Sequence, residues 1–406
     1  MRLLMLMPRA PFPADHGTAL RNFYLMKWLG AQHDVTVLAY GDPDSRNAKE
    51  ALEAHARDVH LVPFSHRSFA QRLVGLVTSP EPDLAKRLWS YPFVDRLRCL
   101  LAEQSFDIVQ IEGLEMFSLW ASVSSRRQGA GPIIVLDEHN AEYALQESAR
   151  AISRQQGHWV GTLYSSIQTQ RLAGYERDAC RSAHGVVTVS RDDAAALTAL
   201  CPTISPAIVP NGVDTALFHR QRSETDGRTV FFIGKMDYRP NVDAVEWFCH
   251  TVWPLVRQAR PDARFRIVGR DPTARVVSLG QVPGVEVVGE VPDERPEFEQ
   301  ADVLVVPMRM GSGVRLKVLQ SMAMGVPLVS TSLGMAGIPA QPGREYLLAD
   351  SVTDFARSVL RVLSDSTLRT TLRQSARELV CQDFDWQVIV PRLESFYATL
   401  VEARDK

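Results

Sequence analysis

Short apolar runs alternate with helical patterns from one end of this chain to the other, and that alternation narrows the fold more than any other feature. In the first half the runs are Leu3–Met7, Val35–Ala39, Val59–Pro63, Ile108–Ile111, Ile133–Leu136 and Gly185–Val189, with helical stretches at 17–31, 47–57, 94–104 and 141–182. In the second half they are Thr229–Ile233, Arg264–Val268, Val285–Val288, Val303–Val306, Pro327–Ser330 and Tyr346–Ala349, with helices at 241–260, 295–300, 314–324, 352–363 and 366–381. A strand apolar on both faces must be covered on both, and a parallel neighbour requires a crossover that a helix supplies. The pattern predicts an α/β protein with doubly wound parallel sheets.

The alternation is interrupted once. Residues 200–214, LCPTISPAIVPNGVD, hold three prolines and the turn pair Asn211-Gly212, which marks a boundary. Residues 1–203 are expected to form one Rossmann-like domain and 204–383 a second. Residues 384–406 are expected to form a helix that packs back on the first domain. Asp383 or Asp385 can cap it, and Val388, Val390, Leu393, Phe396, Tyr397 and Leu400 recur at helical spacing. Open parallel sheets bind ligands outside the carboxyl ends of their strands. Two such domains facing across a cleft would put the chemistry in the loops that follow strands.

The richest of these loops lies in 307–331, PMRMGSGVRLKVLQSMAMGVPLVST. The strand Val303–Val306 runs into Gly311-Ser312-Gly313, and a helix follows with Arg315 and Lys317 in its first turn. The helix macrodipole disfavours cations there by roughly 0.3–1 kcal/mol each. An anion bound by the free N–H groups and by both side chains would reverse that sign. A capped βα turn with two solvated basic residues stays open as the plainer reading.

Other strand-end loops carry polar residues. Pro8–Gly17 is stiffened by three prolines and leads into a helix containing Arg21. Asp137-Glu138-His139-Asn140 sets four polar residues after a strand, where His139 can move a proton or bond a sugar hydroxyl. Gly234 to Asn241 adds Lys235 and Arg239, with Asn241 as a candidate N-cap. Gly289–Asp293, with Val291 at its centre, suits backbone contacts to a base or ribose.

Composition closes several alternatives. A net charge of −2 does not suit nucleic acid. Five scattered cysteines without a CxxC, and ten histidines without an HxxxH pair, give no local support for a metal or a disulfide framework. The apolar run at the start is too short for a leader, and no stretch approaches the ~20 apolar residues of a membrane span. A cytoplasmic protein is expected, with peripheral contact at the inner face of the membrane as an open point. That contact would fall at 67–98, where Arg67, Arg72, Lys86, Arg87, Arg96 and Arg98 interleave with Phe69, Leu73, Leu76, Trp89, Tyr91 and Phe93; a plain amphipathic surface is the alternative. No Walker A sequence, GxGxxG fingerprint or GxSxG elbow is present. Basic strand-end loops without metal ligands suggest a nucleotide diphosphate held without an obligatory metal or other cofactor.

Five segments, PFPADHGTALRN, LDEHNAEY, VPNGVD, FIGKMDYRPNVDAVEWF and GSGVRLKVLQSMAMGVPLVST, together resemble the retaining GT-B glycosyltransferases of family four (group one). The nearest branch is the one associated with bacterial exopolysaccharide clusters. The resemblance implies a GT-B architecture, a nucleotide-diphosphate-sugar donor in the second domain and a lipid-linked or saccharide acceptor in the first. It assigns catalysis to His139, Arg315 and Lys317, the last two holding the diphosphate. Donor binding falls to Gly234, Lys235, Arg239, Val291, Ser312, Gly313, Leu316 and Gln320, and acceptor binding to Gly17, Arg21 and Asn140. It implies retention of anomeric configuration, with the leaving phosphate taking the acceptor's proton, and transfer of a hexosyl or N-acetylhexosaminyl group to a cell-envelope or exopolysaccharide acceptor. The chain departs from the pattern at two places. Ser312 and Gln320 occupy positions where such enzymes have two glutamates eight residues apart, while Lys235 and Pro240 stand where an Arg and a Lys are usual. A non-catalytic nucleotide-sugar-binding partner and a nucleotide-sugar epimerase remain as alternatives.

Overall fold

The computed structural model describes residues 1–14, 17–64, 81–124, 131–147, 159–221, 225–311 and 313–404. The chain divides into two compact units, Met1–Pro210 with Ile389–Lys406, and Asn211–Val388.

In the N-terminal unit the strands are β1 (Arg2–Met7), β2 (Asp34–Tyr40), β3 (Asp58–Val62), β4 (Ile108–Glu112), β5 (Ile133–Glu138), β6 (Gly185–Thr188) and β7 (Ala207–Ile208). They form one sheet in the order β3-β2-β1-β4-β5-β6-β7, parallel throughout. Leu3 pairs with Val35 on one side and Ile108 on the other. Leu4, Leu6, Val109, Ile111 and Leu136 are fully or almost fully buried, as strands covered on both faces require. The order reverses between β1 and β4, so the loops after these two strands open the crevice where such sheets take ligands.

The C-terminal unit repeats the plan. Its strands are β8 (Thr229–Ile233), β9 (Arg264–Val268), β10 (Val285–Gly289), β11 (Val303–Val306), β12 (Leu328–Ser330) and β13 (Leu347–Leu348). Their order is β10-β9-β8-β11-β12-β13, again parallel, with the reversal between β8 and β11. The core is built around Phe231, Phe232, Phe248, Trp253 and Phe265.

The division falls at 210/211, beyond the expected 203/204. The reason is β7: Ala207 and Ile208 pair with β6, and the Val209 amide donates to Thr188, so the proline-rich stretch still belongs to the first sheet. The expected strand Ile133–Leu136 runs on to Glu138, carrying two acids into the sheet. The expected helix 241–260 starts earlier, at Arg239, and widens into a π-turn over Phe248–Val252 before resuming at Trp253. Pro254 explains the widening, because it has no N–H to close the regular i→i−4 ladder. Asn241 therefore lies inside the helix and is not its N-cap, which is Tyr238. The expected helix 141–182 is helical at 142–147 and over Trp159–Ser182, and 148–158 lies outside the described residues. Helices Asp83–Arg87, Phe117–Ser124 and Arg191–Leu200 were not anticipated. The last carries a Ser-x-x-Asp cap, with Ser190 accepting from the Asp193 amide, that was legible in the sequence.

The terminal helix Trp386–Arg404 forms as expected. Its Tyr397 hydroxyl donates to the Gln110 side chain on β4, and Phe396 and Leu400 lie against Gly185, where a Cβ would come within 2.6 Å of Leu400. Only glycine leaves room for that helix there. Of the basic and aromatic segment, 67–80 lies outside the described residues. In the remainder Phe93 is in the core, Trp89 donates to Ser122, Arg87 pairs with Glu115, and Tyr91 is exposed.

Candidate active site

Two constellations of polar side chains stand at strand ends, one in each unit.

In the C-terminal unit the turn after β11 brings Arg315 and Lys317 to the start of the helix Leu316–Ala323. Gly311 and Gly313 adopt φ of +105° and +77°, backbone that side-chain-bearing residues avoid. Arg315 is the N-cap and is 8% exposed, and its guanidinium donates to the Gly313 carbonyl. The Lys317 ammonium lies 3.9 Å from the centroid of the Phe232 ring and donates to Asn241 Oδ1 at 3.0 Å. Asn241 is fixed in turn by donating to the Lys235 carbonyl at 2.9 Å. Burial and then the neighbouring Arg315 charge pull the Lys317 amine down to about 7, against the opposing pull of Glu294. Burial likewise lowers the pKa of Arg315. Neither cation forms an ion pair with any described residue. A cation removed from water without a counter-charge is costly unless a ligand supplies one.

Gly234 completes this pocket from the end of β8. A Cβ there would lie 2.7 Å from Asn241 Nδ2 and 3.0 Å from Lys317 Nζ. Gln320, one turn beyond Lys317, donates to Glu294 Oε2 at 3.3 Å. Leu316 and Val291 are partly buried and pack against the core. Ser312 lies outside the described residues. Lys235 is not drawn into the group: it is exposed and pairs with Asp237 and Asp271 at 3.0 and 3.7 Å. Arg239 is exposed at the start of its helix.

In the N-terminal unit, β4 and β5 place Glu112 opposite Asp137. His139 Nε2 lies 3.0 Å from Glu112 Oε2, and Glu112 is fully buried. Gln110 donates to the other Glu112 oxygen at 2.5 Å and accepts from Tyr397. Burial disfavours the charged imidazole, yet the Glu112 hydrogen bond and the Asp137 charge outweigh it and raise its pKa. Asn140 follows, partly buried.

Arg21, expected to meet an acceptor, is instead 2% exposed. Its guanidinium forks onto Asp137 at 2.8 to 3.2 Å and donates to the carbonyls of Val209 and Pro210. A buried carboxylate needs a counter-charge, and Arg21 fills that need on the inner side of the helix Gly17–Gly30. Ligand atoms of Glu112, Asp137 and His139 lie within 4.8 Å of one another. Asp137 in this set is also bound by the Arg21 guanidinium. Gly17 opens the helix and is exposed, while residues 15 and 16 lie outside the described residues.

Beneath His139 lies a second group of acids. Glu138 is 1% exposed and its Oε1 has no partner among the described residues. Burial, then Glu176 and Glu142, raise its pKa well above the ordinary value. Glu176 accepts from the backbone amides of Glu142 and Tyr143 at 2.7 and 3.0 Å, and Asp193 accepts from that of Ala141 at 2.9 Å. These carboxylates hold the chain that leaves His139.

Sequence reasoning missed Glu112, Gln110, Tyr397 and Glu294. The signal for the first two was present, since a glutamine and a glutamate interrupt the apolar strand IVQIE at alternate positions.

Residues 16–217 match the family described as Glycosyltransferase Family 4, and residues 227–365 match Glycosyl transferases group 1. The chain is 21% identical over 397 residues, 95% of its length and 96% of the other's, to a protein from the Klebsiella pneumoniae cps region described as uncharacterized. It is 26% identical over 224 residues, 49% of its length and 52% of the other's, to a putative colanic acid biosynthesis glycosyltransferase, WcaL, of Salmonella typhimurium. Among solved structures it is similar to Anabaena Alr3699/HepE in complex with UDP and glucose, with a TM-score of 0.67 and 15% identity over 97% of this chain and 99% of that one. The two matches in sequence, one on each doubly wound unit, together with the shared fold, place the chain among the GT-B glycosyltransferases.

Proposed function

We propose that the chain transfers a hexosyl or N-acetylhexosaminyl group from a nucleotide-diphosphate sugar to a lipid-linked or saccharide acceptor in exopolysaccharide or cell-envelope synthesis, with retention of anomeric configuration. The observation that carries this reading is the pair Arg315 and Lys317 at a helix start, with no ion-pair partner among the described residues. A diphosphate is the anion that two adjacent cations and a helix N-terminus suit.

In the transfer, the bond from the anomeric carbon to the diphosphate oxygen breaks and a bond to the acceptor hydroxyl oxygen forms on the same face. The hydroxyl proton passes to the leaving phosphate. Negative charge grows on the diphosphate as the bond breaks, so fixed donors aimed at it lower the barrier. Arg315 and Lys317 perform that task without a metal on this reading. His139, held by Glu112, donates to the reacting sugar. The cps-region relative and the colanic acid relative support the envelope setting, and the neighbour solved with UDP and glucose supports a nucleotide-sugar donor. No helix among the described residues is long and apolar enough to cross a membrane. Cytoplasmic work, with contact at the inner membrane face when the acceptor is lipid-linked, fits the reading.

Incubation with UDP-, GDP- and ADP-sugars, with and without lipid-linked acceptors, tests the proposal. Release of nucleoside diphosphate that depends on an acceptor, with a product of retained configuration, is expected. Interconversion of the donor sugar would point to an epimerase, and binding without release under every acceptor to a non-catalytic partner. Either result overturns the transferase reading.

A further inference from the structure

Three aromatic side chains stand exposed along one edge of the N-terminal sheet. Phe12 follows β1, Phe64 follows β3 and Tyr91 opens the helix Tyr91–Glu103, and they are 37, 45 and 72% exposed. Among the described residues of this unit only Met1 and Ile208 are other exposed large apolar side chains. Met1 precedes β1 at the opposite end of the strand, and Ile208 lies in β7 at the far edge of the sheet. Scattered exposed apolar residues need no explanation, but a gathered set of rings does.

The backbone gathers these rings. The Ala10 amide donates to the Tyr40 carbonyl at 2.6 Å and the Gly41 amide to that of Val62 at 2.9 Å, which stitches the ends of β1, β2 and β3 side by side. The Tyr40 hydroxyl donates to the Leu88 carbonyl and lies 2.9 Å from Ser90 Oγ, so the segment before Tyr91 is tied to the end of β2. Buried rings back the exposed ones. Tyr40 stacks on Phe93 at 4.7 Å and meets Phe64 edge to face at 5.4 Å. Trp89, held through its indole N–H by Ser122, meets Tyr91 edge to face at 4.6 Å. The strip starts after β1, at the crevice between β1 and β4, and crosses to β3, a span of about 10 Å.

Sugar rings present C–H faces that stack on aromatic rings while their hydroxyls stay in water, and rigid rings lose little entropy on contact. A bilayer surface or an acidic polymer would ask for unpaired positive charge beside the rings. The four cations around Tyr91 are each paired instead. Lys86 meets Glu81 at 3.7 Å, Arg87 meets Glu115 at 2.9 Å, Arg96 meets Glu103 at 3.7 Å and Arg98 meets Asp95 at 3.2 Å. We propose that this strip is an extended acceptor subsite that stacks neutral sugar residues of an oligosaccharide beyond the one that reacts, with Tyr91 and Phe64 as specificity-determining residues. The proposal rests on the transferase reading only in calling that oligosaccharide an acceptor.

The test is titration of the full chain, without donor, with neutral gluco-, galacto- and manno-oligosaccharides of increasing length, followed by NMR and Trp fluorescence. Affinity is expected to rise with length, by about three- to tenfold for each ring engaged. Tyr91→Ala and Phe64→Ala should each lower affinity for the longest chains by about that factor, and Tyr91→Phe should preserve it. Binding of no oligosaccharide, affinity indifferent to length, or full affinity in both alanine variants would overturn the subsite. Sedimentation with phosphatidylethanolamine–phosphatidylglycerol vesicles that is lost in Tyr91→Ala would assign the strip to a bilayer. A dimer lost in the same variant would assign it to a second copy of the chain, and either result overturns the proposal. Length-dependent binding without transfer from any nucleotide sugar would overturn the transferase reading and leave the saccharide site standing.

Discussion

His139 is tied through Nε2 to the buried Glu112 carboxylate at 3.0 Å, and Glu112 is tied through Gln110 to Tyr397 on the terminal helix. The bond fixes which imidazole nitrogen faces inward, leaving Nδ1 for a ligand. Because Glu112 favours the imidazolium, His139 keeps its proton to a higher pH than an ordinary histidine. Glu112→Gln removes that support, so the His139 titration should move to lower pH, as followed by NMR. The alkaline limb of the activity profile should move with it, and turnover near pH 7.5 should fall about tenfold or more. An unchanged histidine titration would show that Glu112 only packs.

Lys317, with its pKa near 7, must be protonated to hold a diphosphate. Its folded-state value is depressed, so the free site is half neutral at pH 7 and mostly neutral at pH 8. Affinity for nucleoside diphosphate should fall toward tenfold for each pH unit above 7, with uptake of about 0.9 proton per ligand bound at pH 8. Calorimetry in buffers of different ionisation enthalpy measures that uptake. Lys317→Arg should abolish it. Lys317→Ala and Arg315→Ala should each abolish transfer while leaving the folded state intact.

Arg21→Ala should act on stability. It leaves Asp137 buried without its counter-charge, a loss of about 3–5 kcal/mol in comparable cases. Chemical denaturation should show it, with acceptor KM unchanged in the fraction that remains folded.

The acids beneath His139 predict an unusual pH response. Glu142 and Glu176 have folded-state values pushed up by burial to about 6 and about 7, and burial raises that of Glu138 well above the ordinary value too. A carboxyl with a raised folded value binds more protons folded than unfolded. Its contribution is complete below the unfolded value near 4.5 and is lost as pH rises through the folded value. The N-terminal unit should therefore weaken between pH 5 and 8, by an amount on the order of a few kcal/mol. Glu138→Gln, neutral and of the same shape, should raise the melting temperature at pH 8 and flatten this slope.

Gly234→Ala tests the end of β8. Its Cβ would press on Asn241 and Lys317, and its φ of +154° disfavours any side chain, so the melting temperature should fall and diphosphate affinity should drop by about tenfold or more even in the protein that remains folded. Unchanged affinity in that folded fraction would assign the glycine to packing.

The strand alternation was enough to read the two parallel sheets, because strands covered on both faces announce themselves as apolar runs. The turn after β11 stood out in the sequence for a related reason: cations at a helix start are locally unfavourable and ask for an explanation. What was hidden depended on contacts distant in sequence. Asp137 reads as a loop residue after the strand Ile133–Leu136, but it lies inside the strand because Arg21, 116 residues earlier, packs against it. Asn241 matched a capping pattern, but Pro240 entered the first helical turn and freed the amide to hold Lys317. Glu294 sits in an unremarkable acidic stretch, and only the fold brings it to Gln320.

The return of residues 389–406 to the N-terminal unit makes the C-terminal unit an insertion in chain order, anchored at both ends in its host. A gene cut after residue 388 would not yield two halves. It would remove Phe396 and Leu400 from Gly185 and Tyr397 from Gln110, opening the first core beside the carboxylate that holds His139. An independently folding N-terminal half would have to carry the last helix grafted to it, and proteolytic trimming of the tail would register first in the titration of a histidine some 250 residues upstream.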